Sequence, residues 1–331
     1  MRSNFPPALS IAPGAPGVRD AGAFNFLCDS AEDIAEFGIA GRIWESAFLL
    51  LRYVEGGDLI FDPPCTLVPE PASPPVCIVE LGAGVGTAGL GVARAMMRRN
   101  GLRQTPDTLI LTDLREFCPL LERNAREMTH PATAPAARAV HVHVRALRWG
   151  DGEAAHAVRT EVAREDKHVT HVLCSDLVYF LELLAPLLRT LLDMTAPQSG
   201  CTPEVVIGYK IRSLTKEEPF WAAFGSWFEF DVVQCAPRAA LHPRWTPFGS
   251  SAAHLAGPER VDDDYFVFVA RRKRSTWDAH APRSDARLLA GDRVVAWDDG
   301  AEVFDADASG AAAFEWMLLC RSAGAGEGEW A

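Results

Sequence analysis

Residues 76–81 are apolar at every position but one, Glu80. A short apolar run rich in β-branched residues predicts a parallel strand buried on both faces. Glycines follow at 82, 84 and 86, and residues 88–99 then read as a helix despite Gly89 and Gly91. Further strands are predicted at 108–114, 139–147, 169–175, 204–212, 230–235 and 265–270. The run at 139–147 alternates almost strictly between apolar and polar residues. Helical spacing marks 43–54, where positions 43, 44, 47, 48, 50, 51 and 54 are apolar, and also 117–125, 181–194 and 216–228. This places Trp44 in the first turn of a helix, as a core anchor or as a lid over a ligand.

Strands and helices in this alternation imply an α/β fold, a doubly wound seven-strand mixed sheet. The prospective domain covers 21–275. Residues 1–20 are rich in Pro and Gly and predict a flexible N-terminal arm. A short strand is expected at 24–28, a Pro-rich loop at 62–75, and a turn at Asp298-Asp299-Gly300. Residues 276–331 form a C-terminal extension. Its apolar run at 314–320 needs burial, so the extension is expected to pack back on the domain. In a second arrangement that run is the seventh strand and 265–270 its hairpin partner.

Strand, glycine turn and helix together make a ligand cradle, because glycine lets the backbone approach closely and the helix start offers free N–H groups. Gly84, Gly86 and Gly89 satisfy G-x-G-x-x-G, the dinucleotide pattern. Glu80, Gly82, Gly84 and Gly86 equally satisfy acidic-x-G-x-G-x-G, which closes over the amino-acid end of S-adenosylmethionine. Glu80 would attract that cationic portion and would repel a pyrophosphate. Asp113 ends the second strand, where a carboxylate can accept both ribose hydroxyls. Trp149 stands at the end of the third strand, where a flat ring can pack on an adenine. Asp176 and Tyr179 follow the fourth, and Asp176 can alternatively cap the helix after it. His141 and His143 share one strand face, but no third ligand at suitable spacing accompanies them, so no metal is expected.

The chain has 331 residues, 48% of them hydrophobic, and a net charge of −12. That balance disfavours nucleic acid and anionic membranes as partners and suits a basic protein substrate. No run of about 18 apolar residues predicts a membrane span. Eight cysteines are scattered without a C-x-x-C pair, and no apolar leader opens the chain, so a reduced cytoplasmic setting is expected. Arg271-Arg272-Lys273-Arg274 reads as a solvated domain edge or as a nuclear-import signal.

The motifs together resemble the seven-strand, Rossmann-like class I methyltransferases that use S-adenosylmethionine. More closely they resemble the protein-lysine methyltransferases marked by D-x-x-Y. The resemblance spans roughly 38–275. It rests on Gly41-Arg42-Ile43-Trp44-Glu45, the glycine loop from Glu80, Thr112-Asp113 with Asn124, and Leu147-Arg148-Trp149-Gly150. Asp176-Leu177-Val178-Tyr179 and Tyr209-Lys210-Ile211-Arg212 complete it. It implies a monomeric enzyme that methylates a lysine of a protein such as an elongation factor or chaperone. It implies that Gly82, Ala83 and Gly84 line the methionine portion, Asp113 holds the ribose, Trp149 and Ser175 flank the adenine, and Trp44 closes the pocket. Asp176 and Tyr179 would orient the lysine. Three rivals share the fold: a small-molecule N-methyltransferase of the nicotinamide type, an NAD-dependent oxidoreductase, and a non-catalytic interaction module.

Overall fold

A computed structural model describes residues 25–100, 105–130, 140–198, 200–250, 265–306 and 314. The first half of the chain forms α1 (Ala31–Phe37), α2 (Ser46–Glu55), β1 (Leu59–Asp62), β2 (Cys77–Leu81), α3 (Thr87–Asn100), β3 (Asp107–Asp113), α4 (Cys118–Thr129) and β4 (Val140–Ala146). Next come α5 (Gly152–Ala163), β5 (His171–Ser175), α6 (Leu181–Met194), β6 (Glu204–Lys210), α7 (Leu214–Trp227) and β7 (Phe228–Val232). The remainder comprises β8 (Gln234–Pro237), β9 (Thr246–Pro247), β10 (Tyr265–Arg272), α8 (Asp285–Leu289), β11 (Asp292–Asp298) and β12 (Ala301–Ala306).

Seven strands build the central sheet in the order β4-β3-β2-β5-β6-β10-β7. The first five run parallel, and β10 lies antiparallel between β6 and β7. Tyr265–Arg272 is thus one of the seven strands, paired on both sides, and the apolar run at 314–320 lies, but for its first residue, outside the described residues. That residue, Phe314, stacks on Trp221 at 5.3 Å between ring centres. Every residue of β2 is buried, as its continuous apolar run requires. The alternating strand is β4 at the sheet edge, where one face meets less of the core. One apolar layer packs α2, α3 and α4 on one face of the sheet, and a second packs α5, α6, α7 and α8 on the other. The wound order reverses between β2 and β5, which opens a crevice beyond their carboxyl ends.

Several expectations change. Residues 25–27 form a 3-10 turn rather than a strand. Phe26 is buried, and its carbonyl accepts the Thr87 hydroxyl at 2.6 Å. The helix predicted from 43 starts at Ser46, so Trp44 precedes it. The strand predicted at 230–235 is two strands, β7 in the main sheet and β8 in a small sheet with β1 and β9. The break falls at Val233, whose N–H donates to Val267 and whose carbonyl accepts Phe248 N–H. α1, β1 and α5 have no counterpart among the predicted elements.

Within the basic run at 271–274, Arg271 and Arg274 are exposed, as a solvated edge requires, but Arg272 is not. Arg271 pairs with Glu204 at 2.5 Å, and Arg274 sits over the Trp277 ring. Arg272 is buried and donates to the carbonyls of Leu192, Thr276 and Ala279. It ties the end of β10 to α6 and to the start of the extension. The turn at 299–300 joins β11 to β12 as expected. The arm at 1–20 lies outside the described residues. No helix among those residues is long and apolar enough to cross a membrane.

Candidate active site

The glycine loop bridges β2 and α3 at the crevice. Gly82 and Gly84 have φ near +55°, a left-handed conformation that costs glycine little. A Cβ on Gly82 would stand 2.7 Å from Trp149 Cζ2, and one on Gly84 3.1 Å from the Ala40 carbonyl oxygen. The loop is held from below. Ala83 N–H donates to the Thr112 carbonyl at 2.9 Å, and the buried Asn124 amide donates to the Val85 carbonyl at 2.8 Å. Gly86 has φ +87° and shapes the turn, and a Cβ there would meet Leu90 and Leu121. Gly86, also named from the sequence as cofactor-binding, is not among the residues lining the cavity that opens above the loop.

Glu80 explains the remaining glycine of the dinucleotide-like pattern. Its Oε2 accepts Gly89 N–H at 3.0 Å, and a Cβ on Gly89 would lie 2.3 Å from that oxygen. Gly89 thus makes room for a buried carboxyl at the helix start, and no pyrophosphate is needed to account for it. Burial pushes the Glu80 carboxyl up to about 8, with the neighbouring Asp113 adding to the rise.

A cavity of about 560 Å³ opens above this loop. Trp44, Glu80, Gly82, Ala83, Gly84, Asp113, Trp149, Ser175, Asp176 and Tyr179 all line it, so nearly every residue singled out from the sequence meets here. Asp113 accepts Gly84 N–H on Oδ2 and Leu114 N–H on Oδ1, each at 2.7 Å. Each oxygen keeps a further lone pair for a hydroxyl. Burial raises the Asp113 carboxyl to about 6. The Ser175 hydroxyl oxygen is buried without a hydrogen-bond partner in the structure, and it stands on the cavity wall. A buried polar atom left unpaired is costly and marks a place for a ligand atom.

Trp44 is partly buried and walls the cavity, so it is not a core anchor. Its indole N–H donates to the Ile39 carbonyl at 3.0 Å. The guanidinium groups of Arg42 and Arg212 stand 4.5 Å and 5.2 Å from its ring centre. Arg42 also pairs with Glu45 at 2.7 Å.

Asp176 has φ +63° and lies before α6, whose N-cap is Phe180, so it does not cap that helix. Its carboxylate is instead taken by Arg212 in a two-point pair, Nη1 with Oδ1 and Nη2 with Oδ2 at 2.6 Å. Tyr179 lines the same cavity with its ring 4.6 Å from that of Phe180. Burial raises the Tyr179 hydroxyl above its ordinary range, and the charge of Asp113 adds to this. Among residues without an assigned role before the fold was seen, Arg42, Glu45, Phe180 and Arg212 now belong to the site. Phe180 and Pro186 come from α6 and its start, a region whose apolar spacing marked it only as a helix.

A sheet with an antiparallel strand inserted at sixth position, carrying an acidic glycine loop at its switch point, defines the Rossmann-like class I methyltransferase fold. The chain belongs to the lysine methyltransferase family, whose profile matches residues 28–225. It is 28% identical over 185 residues to protein-lysine N-methyltransferase EFM6 of Saccharomyces cerevisiae, covering 55% of this chain and 68% of that protein. It is 25% identical over 175 residues to protein N-lysine methyltransferase METTL21A of Xenopus tropicalis, covering 53% of this chain and 64% of that protein. The chain therefore spans about two thirds of the length of these relatives.

Proposed function

We propose that this chain is an S-adenosylmethionine-dependent N-methyltransferase acting on a lysine side chain of a protein. The observation that carries the reading is one cavity that joins two sets of groups. On one side are the glycine loop, Asp113 and the unpaired Ser175 hydroxyl; on the other are Asp176 and Tyr179. The residues present fit the methyl donor. Gly82, Ala83 and Gly84 on the cavity wall suit its methionine portion, the free lone pairs of Asp113 suit ribose hydroxyls, and Trp149 with Ser175 suits the adenine.

When bound, the donor supplies an electrophilic methyl on a sulfonium, which an amine lone pair can take as the S–C bond breaks with its electrons left on sulfur. The chain's own part is to bind and orient. Trp44 and Trp149 wall the cleft and exclude water. Tyr179, kept protonated by its buried surroundings, acts as a hydrogen-bonding phenol and not as a base. An NAD-dependent reading is disfavoured by the absence of Tyr-x-x-x-Lys at Tyr179 and Tyr209; Glu80, buried and holding its proton, does not decide between the two ligands by charge.

Incubation with tritiated S-adenosylmethionine and whole-cell extract, followed by resolution by size, tests the proposal. Label in acid-stable lysine of protein bands is expected, with a strong loss in Tyr179→Phe. Label confined to small metabolites would make the small-molecule reading correct, and no label with intact binding would favour the interaction module.

A further inference from the structure

Asp176 reads from sequence as an open carboxylate awaiting the substrate ammonium. The structure shows it already neutralised. Both of its oxygens are engaged by Arg212, and the carboxylate is almost fully buried. Arg212 is itself firmly set. Its backbone N–H donates to Glu217 Oε2 at 3.3 Å, and Glu217 is buried, accepting Tyr209 OH at 2.6 Å and Ser213 N–H at 2.9 Å. The guanidinium also packs over Trp44 and lies 3.6 Å from Glu45 Oε2.

Resting on the methyl-transfer reading above, we propose that Arg212 is a positioning residue for that reaction. It holds the Asp176 carboxylate in place and cancels its charge, so that the cleft takes the lysine as a free amine instead of clamping it as an ammonium. The charges around the pair make this cancellation matter. Glu45 faces it from the segment before α2 and Glu217 from α7, while Asp113 from the end of β3 and Glu182 from the first turn of α6 act on the adjacent Tyr179. Against these carboxylates, Arg42 and Arg148 are the other cations on the cavity wall. An ammonium has no lone pair and cannot attack. A bare carboxylate beside it would favour the charged form and hold its proton, whereas a nearby guanidinium favours its loss to solvent. Ground-state binding of the ammonium would tighten, with turnover lost.

The test compares wild type, Arg212→Met, Arg212→Lys and the double variant Asp176→Asn/Arg212→Met. The rate of tritium transfer from S-adenosylmethionine into extract protein is measured over a series of extract concentrations and pH values. Melting temperature and S-adenosylhomocysteine affinity are read alongside. For Arg212→Met the apparent kcat near neutrality is expected to fall about tenfold, with apparent KM equal or lower. The ascending limb of the pH profile should move up by about one unit. Arg212→Lys should restore part of the rate. The double variant, with no unpaired buried charge, should regain melting temperature and bring the limb back toward the wild-type position. Product affinity should stay within about threefold throughout, since the pair does not hold the nucleoside in this reading.

A lowered melting temperature with an unshifted pH profile would leave Arg212 as a structural ion pair and overturn the inference. So would a rate that rises at all pH values in Arg212→Met, because Arg212 would then be only a competitor for Asp176. A limb still displaced in the double variant would overturn the electrostatic account. No label from the wild type would overturn the methyl-transfer reading and this inference together. Label from the wild type with an unshifted Arg212→Met would overturn this inference alone.

Discussion

Asp113 does two things at one position. Its oxygens hold Gly84 N–H and Leu114 N–H and keep lone pairs for a ribose. Asp113→Ala is therefore expected to weaken S-adenosylhomocysteine binding by on the order of 2–4 kcal/mol. It should also lower the melting temperature, because two backbone donors lose their acceptor. Calorimetry and a melting curve on the same protein check both, and unchanged affinity would place the ribose elsewhere. Glu80 carries a pH dependence. Its carboxyl stands at about 8 in the folded chain against 4.5 as a free side chain. The native state therefore keeps a proton that the unfolded chain gives up. That contribution is full below about pH 4.5 and is lost as the pH rises through about 8, at about 1.4 kcal/mol per unit. Glu80→Gln has no such titration. Its melting temperature relative to wild type should climb between about pH 5 and 8 in the ligand-free protein. Parallel curves over that range would refute the assignment.

At the level of elements, the site is assembled from the carboxyl ends of five adjacent strands. β2 delivers the glycine loop, β3 Asp113, β4 leads into Trp149, β5 delivers Ser175 and leads into Asp176, and β6 leads into Arg212. The segment before α2 then brings Trp44 and Glu45 across the crevice. On the far side, the end of β10 carries the Arg272 clamp. Burial lowers the Arg272 guanidinium to about 10, and three carbonyls plus the Thr276 hydroxyl satisfy it. Arg272→Met should cost about 3 kcal/mol, because those buried carbonyls lose their donor. The expected sign is a lower melting temperature with S-adenosylhomocysteine affinity retained by the folded fraction. A melting temperature within a degree or so of wild type would show that the clamp is not needed.

Across the whole molecule, binding is linked to stability. A ligand held only by the native state raises stability by about 2.7 kcal/mol when present at a hundredfold its Kd. S-adenosylhomocysteine is accordingly expected to raise the melting temperature of the intact chain, and NAD at the same concentration to leave it unchanged. A shift with NAD alone would return the glycine loop to the dinucleotide reading. The net charge of −12 points the same way as the proposed substrate, since an acidic surface favours encounter with a basic protein.

The sequence by itself determined the strand order of events: a buried strand, a glycine turn, acids at strand ends, and helices between. These features are local. Burial on two faces needs a continuous apolar run, a tight turn needs glycine, and both are written in consecutive residues. Trp149, Asp113 and the loop glycines could accordingly be named before the fold was seen, and Ser175 only through the family resemblance. Tertiary structure decided what depends on residues far apart in the chain. It brought Arg212 onto Asp176 across 36 positions, removing the free carboxylate that the D-x-x-Y spacing suggests. It drew Arg272 out of an apparently solvated basic run and into three carbonyls. It moved Trp44 from a helix face to the cavity wall, because the helix begins at Ser46. Charge along a sequence shows which groups are present, but their pairing depends on distance in space, and only the folded sheet sets that distance.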